Sequence, residues 1–476
     1  MKICVLQPDY STSKVDYQNY DPPRDLSHLI PGAAFDHILL NKLTTYKQLK
    51  ELKKKNYDIF VNLCEGYLEW EVPSIDTIYS LELLNLPFTG PTSLLYDPPK
   101  ELMKYVAYTE GINTPAYALI ENEEHIETEC IHLQFPLFVK PAKAGDSLGV
   151  DDKSLVNNTD ELKQKVHAII DEYGPLLTEE FISGREFTVM VAANAGDDRS
   201  VTVFKPVEYI FPKGFSFKTY SLKTSELHPN ANIACNDPQL EIKLKEAAAQ
   251  IFRSFGGVGY GRLDFRVNDK KEIYFLEINF TCSVFYKDGY EGSADYILKH
   301  DGFGQANFLQ HIIAEGIDRH QRMQKKYIMK GNSIAGYGIY ATKDIRSNEL
   351  IFKGEEAAQR IVTRQYVEKN WNVKEKEIFR KYAYPLSNEV FLLWDNDPAG
   401  WAPQNHSCEP NTAYDGLNVV AIRNIAKSEE LTLNYASFLD ENMEPFTCRC
   451  GSPKCCGLIT GIPGNSVTER EKKANV

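Results

Sequence analysis

Cysteines crowd the end of the chain. Cys448-Arg449-Cys450 is followed by Cys455 and Cys456, and forty residues earlier Cys408 stands within Asn405-His406-Ser407-Cys408-Glu409-Pro410-Asn411. Three thiols at C-x-C-x4-C spacing fall one short of a tetrahedral thiolate site, and Cys408 supplies the fourth ligand if the fold brings it alongside. Cys408, Cys448, Cys450 and Cys455 would then close one structural zinc site, with Cys456 left as a spare thiol. The alternative, a disulfide pair, is disfavoured because Cys4, Cys64, Cys130, Cys235 and Cys282 are scattered without pairing rhythm, as in a reduced cytosolic protein. Far upstream, Asp264, Glu277 and Asn279 offer the hard oxygens that suit magnesium. Taken singly, each is also an ordinary polar residue on a strand.

Positioning these groups takes more than one core, and 476 residues suggest two to four domains. The net charge of −13 argues against a nucleic-acid binder, since a phosphate polyanion would be repelled in the absence of a basic stripe. No segment has the length and apolarity of a membrane span, and the start, Met1-Lys2-Ile3-Cys4-Val5-Leu6-Gln7, reads as a buried strand and not as a signal peptide. A cytoplasmic protein is expected. Strand-like 3–6, 35–39 and 58–62 alternate with helical 44–55 and 74–84, giving an open α/β unit over 1–95. The break Asp97-Pro98-Pro99 opens a second domain over 96–318, with a strand at 138–140, a glycine loop at 142–150, helices at 160–173 and 239–255, and strands at 177–181, 186–192, 261–267 and 272–278. A polar, basic linker is expected over 319–329. Beyond it the pattern changes to short strands with many turns over 330–445, a cysteine-rich tail over 446–462 and a polar end over 463–476.

Four motifs in order make the last third distinctive. Ala335-Gly336-Tyr337-Gly338-Ile339-Tyr340-Ala341 precedes the Asn405–Asn411 segment, then come Glu429-Glu430-Leu431-Thr432-Leu433-Asn434-Tyr435 and the cysteine tail. Together they resemble the SET family of S-adenosylmethionine-dependent lysine methyltransferases. The resemblance implies that Gly336, Tyr337 and Gly338 approach the cofactor's methionine portion. It implies that Asn405 and His406 bind its amino-acid and adenine parts, largely through backbone atoms, and that Tyr435 sits beside the methyl group. It also implies reduced activity from Asn434, which stands where the family commonly has Asp. Methylating an amine is a displacement at a sulfonium methyl, so the amine must arrive neutral, desolvated and in line. Tyr382, Tyr384, Phe391, Trp394 and Trp401 could wall such an amine channel, although packing is the commoner use of aromatic residues.

Residues 58–315 carry a second resemblance. Leu177-Thr178-Glu179-Glu180-Phe181-Ile182-Ser183-Gly184-Arg185-Glu186, with Val139-Lys140-Pro141, the loop Gly145-Asp146-Ser147-Leu148-Gly149, Gly261-Arg262-Leu263-Asp264 and Phe275-Leu276-Glu277-Ile278-Asn279, is similar to the D-alanine–D-alanine ligase branch of the ATP-grasp fold. The fold class expected is therefore multidomain: an α/β ATP-grasp part in three subdomains, then a mostly-β SET domain with a zinc-binding tail. By this resemblance Lys100, Lys140 and Lys223 contact nucleotide and phosphate, and Ser147 lies in the loop that closes over the phosphates. Glu179 and the backbone of Glu180, Phe181 and Ile182 face the adenine, Glu186 the ribose, and Arg262 the developing oxyanion. Asp264, Glu277 and Asn279 hold Mg2+. Two departures matter. Cys282-Ser283 replaces the family's Pro-Gly, and Asn62-Leu63-Cys64-Glu65-Gly66-Tyr67 lacks the elements that hold D-alanine. D-alanine is not the expected substrate; Glu65, Glu69 or Glu71 could receive a cationic amine.

The combined expectation is a bifunctional enzyme using ATP, Mg2+, S-adenosylmethionine and Zn2+. It would act on a small molecule or peptide bearing a carboxylate and an amine, and could pair as a homodimer as ligases of this branch often do. The rival is a protein-lysine methyltransferase whose ATP-grasp part is a nucleotide-binding or scaffolding module.

Overall fold

A computed structural model describes residues 1–11, 21–65, 71–143, 149–197, 199–217, 231–332, 336–354, 359–387, 389–394, 404–439 and 444–461. It divides into two compact units, Met1–Met323 and Gln324–Val476. The division falls inside the expected linker, but little of that segment is linker. Its first residues finish the helix Gly304–Met323, and a strand already begins at Tyr327.

The first unit opens with a parallel sheet of β1 (Lys2–Pro8), β2 (Ala34–Leu40) and β3 (Ile59–Asn62) in the order β2-β1-β3. The central strand β1 is an apolar run, buried from Cys4's neighbours to its end, as expected where both faces are covered. Next comes an antiparallel sheet in the order β4-β7-β5-β6, made of β4 (Tyr117–Ile120), β5 (Leu137–Pro141), β6 (Leu155–Val156) and β7 (Leu176–Glu180). It packs on the helix Thr159–Tyr173, whose Leu162, Val166, Ile169 and Ile170 fall on one face. The Asn158 side chain caps that helix by accepting from Glu161 N–H.

The third sheet carries the chemistry. β8 (Arg185–Ala193), β9 (Val201–Val203), β10 (Val207–Tyr209), β11 (Asn232–Ala234), β12 (Tyr260–Val267) and β13 (Ile273–Asn279) run in the order β11-β10-β8-β12-β13, with β9 on β8. Phe187, Val189 and Val191 of β8 and Leu263, Phe265 and Val267 of β12 enter one core with the helix Pro238–Ser254. Because side chains alternate along a strand, Arg262, Asp264 and Arg266 are turned to the opposite face. The β12–β13 register sets Arg262 opposite Asn279 and Asp264 opposite Glu277, so all four share that face.

The second unit is built from short strands, named β14 (Tyr327–Asn332), β15 (Gly336–Ala341), β16 (Leu350–Phe352), β17 (Gln359–Thr363), β18 (Tyr384–Pro385), β19 (Val390–Trp394), β20 (Asn405–His406), β21 (Thr412–Asp415), β22 (Asn418–Ala421), β23 (Thr432–Leu433), β24 (Phe446–Thr447) and β25 (Leu458–Ile459). They pair as β14-β15, β16-β22-β21, β17-β19-β18, β20-β23 and β24-β25. Between β17 and β18 stand two helices, Arg364–Asn370 and Val373–Tyr382, where only strands and turns were expected. Their caps explain them. Thr363 accepts from Tyr366 N–H, and Asn372 and Glu375 form a reciprocal capping box. No described helix is long and apolar enough to cross a membrane.

Gly259, just before β12, has φ +66°, and a Cβ there would lie 2.5 Å from the carbonyl of Gly90. The strand bearing Arg262 and Asp264 is therefore seated against the 60–90 region by backbone contact that admits no side chain. Gly259→Ala is expected to destabilise the first unit by at least ~2 kcal/mol, through the clash and the left-handed backbone together. Thermal unfolding checks this: an unchanged transition would show that the seat can yield.

Candidate active sites

Charge on the first unit's functional face is concentrated around Glu179. β7 presents this carboxylate, 5% exposed, diagonally across from Lys140 on β5. Lys140 Nζ lies 2.7 Å from one oxygen, and Lys104 Nζ lies 2.8 Å from the other. Burial alone would raise the Glu179 pKa, but the two ammonium groups outweigh it and hold it down at about 2. Lys104 was not anticipated, although its signal is in the sequence. It follows Lys100 by one helical turn on Lys100–Thr109, so both lysines project from the same side. Lys100 Nζ sits 3.9 Å from Glu277, which joins the lysine cluster to the β12–β13 face.

On that face Arg262 Nη2 lies 3.2 Å from Asp264 Oδ2. Asp264 Oδ1 is buried with no hydrogen-bond partner among the described residues. An uncompensated buried carboxylate oxygen, opposite Glu277 and diagonal to Asn279, suits a hard divalent cation. Cys282 is buried next to Arg262, and burial pushes its thiol up to about 12, so it is neutral.

Glu186, expected toward a ribose, ion-pairs with Arg266 at 3.1 Å. Arg266 also donates to the carbonyls of Ile182 and Gly184 and lies 4.9 Å over the Phe181 ring, so it braces the whole 179–186 turn. Phe138, Phe181 and Phe217 form a triangle with centroids 5.0–6.3 Å apart. Ser147 and Lys223 lie outside the described residues, as do Glu69, Trp401 and the Trp394 side chain. Near the rewritten substrate segment, Ser283 Oγ donates to Glu65, Arg24 Nη1 lies 3.9 Å from Glu65, and Tyr286 donates to Asp21 at 2.6 Å. Glu71 is exposed.

In the second unit, the 404–412 and 429–435 segments are knitted together. β20 pairs in parallel with β23, and buried Asn411 donates to the Glu430 carbonyl and accepts from Thr432 N–H. Asn405 Nδ2 donates to the Tyr337 carbonyl at 2.6 Å and to Glu430 Oε1 at 2.8 Å. A Cβ on Gly338 would meet that same Glu430 oxygen at 2.3 Å, which accounts for glycine there. Gly336 is exposed with φ +86°. Asn434 caps a short turn by accepting from Ala436 N–H, a bond that needs no negative charge. The Tyr435 hydroxyl donates to the Gln404 carbonyl, and burial raises its pKa, keeping the phenol protonated.

Beside Tyr435 lies a small, open-mouthed cavity walled chiefly by Tyr382, Tyr384, Tyr414, Leu433, Tyr435 and Phe438. Two of the expected aromatic residues, Tyr382 and Tyr384, line it. Phe391 instead packs on Phe379, 5.1 Å between ring centroids. Tyr414 and Phe438 were missed, because nothing in their local sequence separates a cavity wall from an ordinary core position.

The sulfurs of Cys408, Cys448, Cys450 and Cys455 all lie within 4.8 Å of one another. Zinc at about 2.3 Å from four thiolates requires sulfurs about 3.8 Å apart, so this group fits the ion. Cys456 is exposed, with its sulfur 3.4 Å from that of Cys408.

Comparison with known proteins separates the two units cleanly. Residues 106–285 match the family described as D-ala D-ala ligase C-terminus, and residues 336–436 match the SET domain. The chain joins a D-alanine–D-alanine ligase-like ATP-grasp domain to a SET domain. D-alanine–D-alanine ligase of Legionella pneumophila is 32% identical over 213 residues, covering 42% of this chain and 57% of that one. The Carboxydothermus hydrogenoformans ligase is 27% identical over 287 residues, covering 57% and 85%. This chain thus spans less than two thirds of the Legionella relative's length. A solved D-alanine–D-alanine ligase from Bacillus anthracis, in complex with ATP, superposes with a TM-score of 0.51 at 19% identity, over 68% of this chain and 100% of that one. That likeness establishes the ATP-grasp fold of the first unit.

Two outcomes are expected. Glu179→Gln leaves two buried ammonium groups short of a counter-charge and should cost about 3 kcal/mol at neutral pH. In the parent, the Glu179 contribution is full above about pH 4.5 and is lost as pH falls toward 2, because the folded pKa is depressed. The variant should lack that dependence when unfolding is followed against pH. For the SET half, metal analysis should find about one zinc per chain, with a chelator loosening that half first. Cys455→Ser should lose the metal and Cys456→Ser should keep it.

Proposed function

We propose that the chain is a bifunctional enzyme: an ATP-dependent carboxylate–amine ligase and an S-adenosylmethionine-dependent N-methyltransferase, acting on a small molecule or peptide. The observation that carries the ligase half is the shared face of β12 and β13, where Arg262, Asp264, Glu277 and Asn279 stand together beside Lys100. A substrate carboxylate oxygen attacks the γ-phosphorus of ATP, ADP departs, and the acyl phosphate is then attacked by an amine. The new C–N bond replaces C–O, and phosphate and a proton leave. Lys100, Lys140 and Arg262 offset the charge that develops, and a magnesium ion held by Asp264, Glu277 and Asn279 would neutralise the phosphates. Glu65, held between Ser283 and Arg24, stands where the D-alanine-holding elements are missing, so a substrate other than D-alanine is favoured.

For the SET half, the tyrosine-walled cavity beside Tyr435 supports delivery of a slender amine. S-adenosylmethionine, once bound, would supply its sulfonium methyl to the neutral amine and leave as a neutral thioether, the amine's proton having been lost to solvent before the attack. Aromatic walls exclude water and favour an approaching ammonium before it loses its proton. The backbone about Gly336, Gly338, Asn405 and His406 would receive the cofactor.

Tethering raises the second site's effective concentration of the first site's product to around millimolar, which favours a coupled pathway. With label from S-adenosylmethionine, a methylated small molecule should appear. Tyr435→Phe should lower transfer at least tenfold while ATP consumption persists, and Glu277→Gln should abolish methylation only when ligase precursors, not the finished amine, are supplied. Label confined to protein lysines and indifferent to Glu277→Gln would favour the rival, a protein-lysine methyltransferase carrying a nucleotide-binding module. Background ADP release across a panel of amino acids and dipeptides would remove the ligase half.

A further inference from the structure

We propose that His406 is a positioning residue that couples the four-cysteine site to Tyr435 through its two ring nitrogens. Tyr435 N–H donates to His406 Nδ1 at 3.0 Å. A ring nitrogen that accepts carries no proton, so in the neutral imidazole the proton resides on Nε2. Nε2 lies 3.4 Å from Cys408 Sγ, the distance of an N–H···S hydrogen bond. A protonated Nε2 cannot itself ligate a metal, which leaves the four thiolates as the donor set and His406 as their outer partner.

The ring is flanked on two sides. It meets Tyr435 edge-on with centroids 5.5 Å apart and Phe446 with centroids 5.8 Å apart, while its backbone is held in the β20–β23 pair opposite Leu433. Phe446 opens the strand that runs into Cys448. One imidazole therefore touches the metal-ligand thiol, the tail strand and the residue that walls the amine cavity. Filling the cysteine site fixes where His406 points, and His406 fixes the Tyr435 backbone. Only the kinetic consequence rests on the methyl-transfer proposal.

Two conservative variants separate the arms. In His406→Asn the amide oxygen can replace the Nδ1 acceptor, but nothing reaches Cys408. In His406→Gln the amide nitrogen can replace the Nε2 donor, and the acceptor for Tyr435 is lost. With Co2+ exchanged into the cysteine site of the full chain, His406→Asn should shift the thiolate-to-cobalt charge-transfer band and lose zinc to a chelator about tenfold more readily, as outer-shell losses do. His406→Gln should keep the wild-type band yet lower the methyl-transfer kcat about tenfold, with KM for S-adenosylmethionine little changed. Phe446→Leu, which removes a ring contact and neither hydrogen bond, should leave the band in place. A wild-type band and zinc retention in His406→Asn would overturn the cysteine arm, and an unchanged kcat in His406→Gln the tyrosine arm. A band shifted equally by Phe446→Leu would overturn the coupling in favour of general loosening. If the wild type transfers no methyl, the methyltransferase proposal fails, and the cobalt band still judges the cysteine arm.

Discussion

The register between β12 and β13 governs the first unit. Arg262 opposite Asn279 and Asp264 opposite Glu277 leave the charged groups on one face and Leu263, Phe265, Phe275 and Ile278 in the core. A slip of one residue would exchange the two sets, burying carboxylates among phenylalanines and exposing the core to water. A bulge after Asp264 absorbs the one irregularity, between Asp264 and Phe265. Fold and site are thus selected by the same pairing. Phe187, Val189 and Val191 on β8 hold it in place, since their burial under the helix Pro238–Ser254 fixes which side of the sheet faces inward.

Buried charge is handled differently in the two halves. Around Glu179, two lysines share one carboxylate, and Lys100 stands close to Glu277, leaving three ammonium groups about two carboxylates. The SET half instead uses neutral amides, hydroxyls and backbone groups around Asn405, Asn411 and Gln404, with Glu430 as the nearby carboxylate.

Much of the first unit was legible because its signals are local. The apolar run of β1 and the period-3.6 face of the helix Thr159–Tyr173 each need only neighbours in sequence. Asp264, Glu277 and Asn279 were singled out through the family resemblance, and the β12–β13 register puts them on one face. Lys104 and Arg266 were not singled out, since one looks like any helix lysine and the other like any strand-end arginine until tertiary contacts bring Glu179 and Glu186 to them. The helices at 364–370 and 373–382 were missed although Asn372 and Glu375 spell a capping box. Short helices with few buried residues leave little periodicity to read. The network of Asp21, Arg24, Glu65 and Tyr286 spans 265 positions, as the bond from Tyr286 to Asp21 shows, and no local pattern marks it.

Cys408 has a particular place in the order of synthesis. Its thiol partners begin forty residues later, and Asn411 and Tyr435 draw the intervening chain into the same knot. At about 5–20 residues per second, a ribosome needs roughly two to eight seconds to make the stretch between Cys408 and Cys448. During that interval Tyr414 and Tyr435 join Tyr382, Tyr384 and Cys408, which are already made, and the cysteine tail comes last. A nascent chain halted before residue 448 would hold every residue that lines the cavity beside Tyr435 and none of the three cysteines that complete the cysteine site.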